Sequence, residues 1–118
     1  MKYILLIQHG DTPTPGTDAW ERLSDEEKHG VYAGYQAVNA TPGVTPGVWM
    51  QPPEAATTVR VEDGKTLTTD GPFVAIKEAL GGYLLFDADD LDSAIELAAR
   101  IPAARLGGAV EVRPLVEQ

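Results

Sequence analysis

Tyr3-Ile4-Leu5-Leu6-Ile7 is apolar at every position, and so, late in the chain, is Tyr83-Leu84-Leu85-Phe86. Successive side chains of a strand point to opposite sides of a sheet, so a strand with one wet face alternates. A run without alternation has both faces covered. These two stretches therefore read as the central strands of one sheet. The first is too short for a membrane span or a signal segment. It turns polar at Gln8-His9-Gly10-Asp11 with no small-residue cleavage site. With no cysteine in the chain, this sets the expectation of a cytoplasmic protein that binds no membrane.

Working outward, Ala56–Glu62 alternates, with Thr57, Val59 and Val61 against Thr58, Arg60 and Glu62. Ala109–Arg113 does the same with Val110 and Val112. Both read as half-buried edge strands. Asp63-Gly64 is a hairpin turn signal, and Lys65–Thr69 returns as the partner strand. Ser24-Asp25-Glu26-Glu27 is a capping box that opens a helix to about Asn39, with Val31, Tyr35 and Val38 on one stripe. Gly30 and Gly34 weaken that helix or let another backbone approach. Asp87–Asp92 carries four aspartates, which suit a helix start. Leu91, Ala94, Ile95, Ala98 and Ile101 then mark an amphipathic helix stopped at Pro102. The tandem Thr41-Pro42-Gly43-Val44, Thr45-Pro46-Gly47-Val48 reads as loop, followed by a short extended piece, Val48–Gln51. Val74–Leu80 reads as a helical turn ended by Gly81-Gly82.

The order strand, helix, hairpin strands, strand, helix, strand is that of an α+β, ferredoxin-like split βαβ plan with an inserted β-hairpin. At 118 residues the chain suits a single domain, 1–118. Two helices cover one sheet face only. The other face of Tyr3–Ile7 and Tyr83–Phe86 is then an open apolar surface, which a homodimer through that face would bury.

Composition narrows the chemistry. Acidic residues outnumber basic ones 18 to 9, for a net charge of −9, and the Lys and Arg are scattered singly. Phosphate backbones need clustered cations, so no nucleic acid is expected as a partner. The absence of cysteine removes thiolate nucleophiles and thiolate metal sites. Ser24 is a cap, Ser93 lies in a helical turn, and no Gly-x-Ser-x-Gly elbow is present. No phosphate loop or dinucleotide fingerprint occurs, so no cofactor is expected. His9 and Asp11 would face the same way on a continuing strand, but a third ligand is missing nearby. They read as a solvated strand end, and no metal is expected.

The remaining candidates are few. Asp70, before Gly71-Pro72, reads as a turn carboxylate that accepts local amides and anchors Phe73 in the core, or as a general base at the sheet end. Arg60 and Arg113 read as rim partners of Glu62 and Glu111, or as a pair holding a small anionic ligand. Lys77, beside Glu78, reads as solvated or ligand-facing. His29 reads as an exposed helix histidine.

Thr69-Asp70-Gly71-Pro72-Phe73, then Lys77-Glu78-Ala79-Leu80-Gly81-Gly82-Tyr83, resembles the signature of the DGPF branch of the YCII-related family. Gln51-Pro52, Ala56–Arg60, Asp89–Asp92, Ala98–Pro102 and Gly108–Pro114 fall in the same order. Ala40–Met50, with its tandem, departs from the family pattern. The resemblance implies a ferredoxin-like fold assembled as a dimeric α+β barrel. It also implies an acid/base role for a helix histidine with a carboxylate, here His29 with Asp70. It carries no assigned reaction. Three functions stay open: a dimeric small-molecule-binding protein acting as a cofactor-free lyase or isomerase, a non-catalytic accessory protein linked to transcription through sigma factors, and an interaction domain with no ligand.

Overall fold

In the computed structural model, which describes residues 1–73 and 80–117, ten elements follow one another. They are β1 (Lys2–Gln8), α1 (Asp18–Glu21), α2 (Asp25–Asn39), β2 (Val44–Trp49), β3 (Thr57–Glu62), β4 (Lys65–Asp70), β5 (Leu80–Asp87), α3 (Leu91–Ala99), α4 (Pro102–Arg105) and β6 (Ala109–Pro114). Strands β2-β5-β1-β6 make one four-stranded sheet, and β3-β4 make a second sheet of two strands. Each pairing is antiparallel. The two apolar strands, β1 and β5, are the central pair, as their lack of alternation demands. This is the strand order of a ferredoxin-like α+β fold.

One face of the sheet carries the core. Tyr3, Leu5 and Ile7 of β1 and Leu84 and Phe86 of β5 are buried with Val38 of α2, Ala94, Leu97 and Ala98 of α3, and Ile101. Leu5, Leu97 and Ile101 are completely enclosed, each worth about 1.5–3 kcal/mol over an exposed position. Val112 and Val110 of β6 stand opposite Leu5 and Ile7 and extend the same face. On the other face lie Ile4, Leu6, Tyr83 and Leu85, all half-buried. Registers Leu6↔Tyr83 and Ile4↔Leu85 put these four side by side.

The helices start as their sequences require. The Ser24 hydroxyl accepts from the Glu27 amide at 3.1 Å, and the Glu27 carboxylate accepts from the Ser24 amide at 3.0 Å. The Asp90 carboxylate accepts from the Ser93 amide at 2.8 Å. These amide donors hold both carboxyl groups below the usual carboxylate range. Pro102 ends one helix and also begins the next, at the first turn of α4 where its missing N–H costs nothing. Of the two helix glycines, Gly34 answers to close packing: a Cβ there would meet Pro102 Cγ at 2.9 Å, whereas Gly30 faces open space.

Three sequence expectations are corrected. The edge strand beside β5 is Val44–Trp49, not Ala56–Glu62, which pairs only with β4. The tandem tetrapeptides therefore do different things. In the first, Gly43 turns the chain with φ +92°. The second lies inside β2, with Pro46 on an edge where its missing N–H breaks no ladder. Gly47 is required there, because a Cβ would fall 1.9 Å from the Tyr83 carbonyl oxygen. Second, Gly81-Gly82 does not end a helical turn but lies within β5. The helical turn expected over 74–80 falls outside the described residues, apart from Leu80, which opens β5. Third, Thr57–Glu62 is not half-buried: Val59 and Val61 are 59% and 67% exposed.

Candidate functional site

The described part of the chain gathers its polar loose ends at the close of β1. Pairing of β1 with β5 shifts register between Ile7 and Gln8, opposite the stretch from Gly82 back to Leu80. Gly81 is the extra residue at this irregularity, and such bulges re-aim nearby side chains. The His9 ring lies directly on Gly81, where a Cβ would sit 2.3 Å from Nδ1. On its other side the ring meets Trp49 of β2 at 5.4 Å between centroids, tilted by 31°. Trp49 in turn meets Tyr35 of α2 edge-on at 4.8 Å. Three elements thus hold one imidazole: the bulge below it, the indole beside it, and the phenol behind the indole.

Burial sets its electrostatics. Desolvation pushes the His9 imidazole below its usual value near 6.5, so the ring is neutral at neutral pH. Its Nε2 is shielded from solvent and takes no hydrogen bond within the described residues, and the same holds for Gln8 Oε1 and Thr12 Oγ1. Thr12 is buried against Gly108, where a Cβ would lie 2.7 Å from the hydroxyl oxygen. A turn closes this stretch, with the Thr12 amide donating to the His9 carbonyl at 2.7 Å. Tyr35 has its phenol pushed up, first by burial.

A cavity of about 30 Å³ lies behind Trp49, between Tyr35 and Asn39 of α2 and Gly82 of β5. That is room for one water-sized group. A ligand of metabolite size would instead lie against Trp49 itself, which is 58% exposed. Among the described residues no three His, Asp or Glu side chains come together as metal ligands. Likewise, no helix there is long and apolar enough to cross a membrane.

The described residues singled out by sequence lie elsewhere and are not brought together. Asp70 ends β4, exposed, opposite Thr57, and its carboxylate takes no hydrogen bond from the described residues. Phe73 is not anchored in the core: it is 68% exposed, with the Arg60 guanidinium 4.7 Å above its ring. Arg60 stands on the hairpin face opposite to that of Asp70. Arg113 pairs with Glu111 on the open face of the main sheet. His29 is exposed on α2, across the sheet from Arg113. Lys77 lies outside the described residues. His9, read as a solvated strand end, is the half-buried group. The available signal was Gly81-Gly82: two glycines inside a strand mark a close approach, here by His9 and Trp49.

Comparison with known proteins bears on the whole chain. The model of the YCII-related domain matches residues 1–118. This chain belongs to the YCII-related family. A relative from Rhizobium meliloti (strain 1021), itself an uncharacterised protein, is 36% identical over 117 residues, covering 98% of this chain and 92% of that protein. YCII-related membership agrees with the sequence motifs and with the observed sheet order, and it brings no assigned reaction.

Proposed function

We propose that the chain is a homodimeric small-molecule-binding protein of the DGPF-like branch, with His9 as its acid/base group. The observation that carries this reading is the His9 Nε2, held neutral and shielded without a partner beside an exposed indole. A neutral imidazole beside bound ligand can take a proton near neutral pH and return it in a second step, as cofactor-free lyase or isomerase chemistry requires. The exposed Trp49 face supplies a stacking platform for a planar ligand. Among the described residues no Lys or Arg lines the cavity behind it, and the expected ligand is planar and uncharged. A small anionic ligand held by Arg60 and Arg113, or an acid/base pair of His29 and Asp70, needs a second copy to bring those groups into one place. That second copy is seated on the open sheet face of Ile4, Leu6, Tyr83 and Leu85.

The test uses Trp49 as reporter in a Trp20→Phe background, which leaves one indole. Phenol should quench its fluorescence saturably, benzoate clearly less, and His9→Ala should abolish the phenol response while the fold stays intact by circular dichroism. Equal, non-saturating quenching by both compounds, unchanged in His9→Ala, would refute a His9-centred site.

A further inference from the structure

The hairpin β3-β4 is amphipathic and its apolar face is bare. In an antiparallel ladder, directly paired residues share a face. The register Thr57↔Asp70, Val59↔Thr68, Val61↔Thr66 therefore gathers Thr57, Val59, Val61, Thr66 and Thr68 on one side, with a single charge at the root, Asp70. The pairs Arg60↔Leu67 and Glu62↔Lys65 put the three charges Arg60, Glu62 and Lys65 on the other side, with Leu67 among them. Period-two alternation of this kind is the mark of a strand with one covered face. In a single chain nothing described covers it: Val59 and Val61 are 59% and 67% exposed.

An isolated two-stranded hairpin is marginal in water. This one pairs with no strand of the main sheet. It is tied at its root by the Gly71 amide donating to the Ala56 carbonyl at 2.7 Å and by the Thr58 hydroxyl donating to the Gly71 carbonyl at 2.8 Å.

Surface area says how large the missing cover is. A compact monomer of 12.6 kDa exposes about 6,200 Å². This chain exposes 8052 Å², an excess of about 1,800 Å² by the same scaling. An obligate homodimer removes about 1,000–2,500 Å² from each partner, against about 800 Å² for an interface of standard size, so the excess matches one second copy bound through an interface of the obligate class. The radius of gyration agrees: 16.2 Å against about 13.5 Å for a compact chain of this length.

We propose that β3-β4 is a dimerisation arm, whose Val59–Val61–Thr66–Thr68 face packs on a second copy of this chain and extends the contact made by the open sheet face. This rests on the homodimer reading above, and the experiment separates the two. Val59→Lys with Val61→Lys moves the net charge toward zero, so weaker association cannot come from added repulsion between two acidic chains. Both positions are exposed in the single chain, so each copy keeps its fold. Sedimentation should give a dimer for the unaltered protein and a dissociation constant at least about a hundredfold higher for the double variant, because charges at an apolar contact are desolvated unpaired. Glu62→Lys, on the charged face, should stay within about threefold. Hydrogen exchange supplies a second readout: amides of the arm should be protected at concentrations where the dimer forms and exposed on dilution.

Leu6→Lys tests the sheet face separately. Loss of the dimer in Leu6→Lys with an unchanged constant in the arm variant would overturn the arm and leave the face reading standing. Loss in the arm variant alone would overturn the face and support the arm. A monomeric unaltered protein with rapidly exchanging arm amides would overturn both, and would point to a different partner.

Discussion

Adding one methyl group at Gly81 tests the His9 site more directly than removing the histidine. In Gly81→Ala the new Cβ would lie 2.3 Å from His9 Nδ1 and 2.4 Å from Cε1. Ordinary contact begins near 3.4 Å, so the ring must retreat by about 1.1 Å. It has little room to do so, with Trp49 at 5.4 Å between centroids and Tyr35 bracing the indole at 4.8 Å. Overpacking of this kind costs about 1–3 kcal/mol. The backbone offers no objection of its own, since Gly81 is not among the positive-φ glycines. Where nothing collides, Gly→Ala stabilises by about 0.4–1 kcal/mol, through lost freedom of the unfolded chain. The sign of the Gly81→Ala effect should therefore reverse when His9 is alanine: destabilising in the native background, neutral or stabilising in His9→Ala. Urea unfolding of the four proteins, read as midpoints at constant slope, gives the coupling, expected to be at least about 1 kcal/mol. Gly82→Ala is the control: its nearest neighbours, Trp49 Cε3 and the Val48 carbonyl oxygen, lie at 3.4 Å, and it should show no such reversal. An equal Gly81→Ala penalty with and without the imidazole would refute the stacking of His9 on the bulge.

Acidification should show His9 directly. Because burial lowers its folded-state value, the unfolded chain binds more protons in the window below about 6.5. Its contribution to stability is intact above that value, falls as pH drops toward the folded-state value, and is flat below it. His9→Asn should remove that part of the pH slope, measured by denaturant midpoints across the window. In the core, Leu97→Ala should cost about 2–5 kcal/mol, since Leu97 is fully enclosed; a smaller loss in urea unfolding would mean that the helix layer collapses into the gap. Asp70→Ala and Asp70→Asn should both unfold within about 0.5 kcal/mol of the unaltered protein. A penalty for Ala that Asn spares would restore the turn-anchoring role that the exposed carboxylate argues against.

The sheet was legible where burial leaves a mark on composition. Tyr3–Ile7 and Tyr83–Phe86 announced themselves as central because both faces are apolar, and the capping box at Ser24 announced its helix because the reciprocal amide bonds need those residue types at that spacing. The edge was misread for an equally physical reason. Val44–Trp49 carries Pro46 and Gly47, which weaken any strand signal, yet an edge tolerates the proline and the close Tyr83 carbonyl demands the glycine. Thr57–Glu62, with the better strand pattern, took its place in the reading because alternation reports that a face is covered without saying by what. His9 was missed because its burial comes from Trp49 and Gly81, distant in sequence, and no local pattern records a ring lying on a glycine. The anchoring of Phe73 was over-read from turn chemistry alone, since a turn motif says nothing about whether a core lies beneath it.

The arm and the site share one root. Trp49 closes β2 and Leu80 opens β5, and Leu80 stands opposite Gln8, the residue before His9. The chain between them, which includes the hairpin, therefore leaves and re-enters the sheet at the end where the imidazole sits. The Met50 amide donates to the Gly81 carbonyl at 2.9 Å, so the first residue on the way out to the arm is bonded to the bulge on which His9 lies. Seating the arm on a second copy would restrain that bond, and through it the position of Gly81 and the tilt of the ring. Dimer formation and the acidity of His9 would then be linked quantities: the His9 titration followed by nuclear magnetic resonance should differ between concentrated and dilute protein. Val59→Lys with Val61→Lys should hold it at the dilute value throughout. A titration independent of concentration in a protein shown to dissociate would break the link, leaving the arm as an interface without influence on the site.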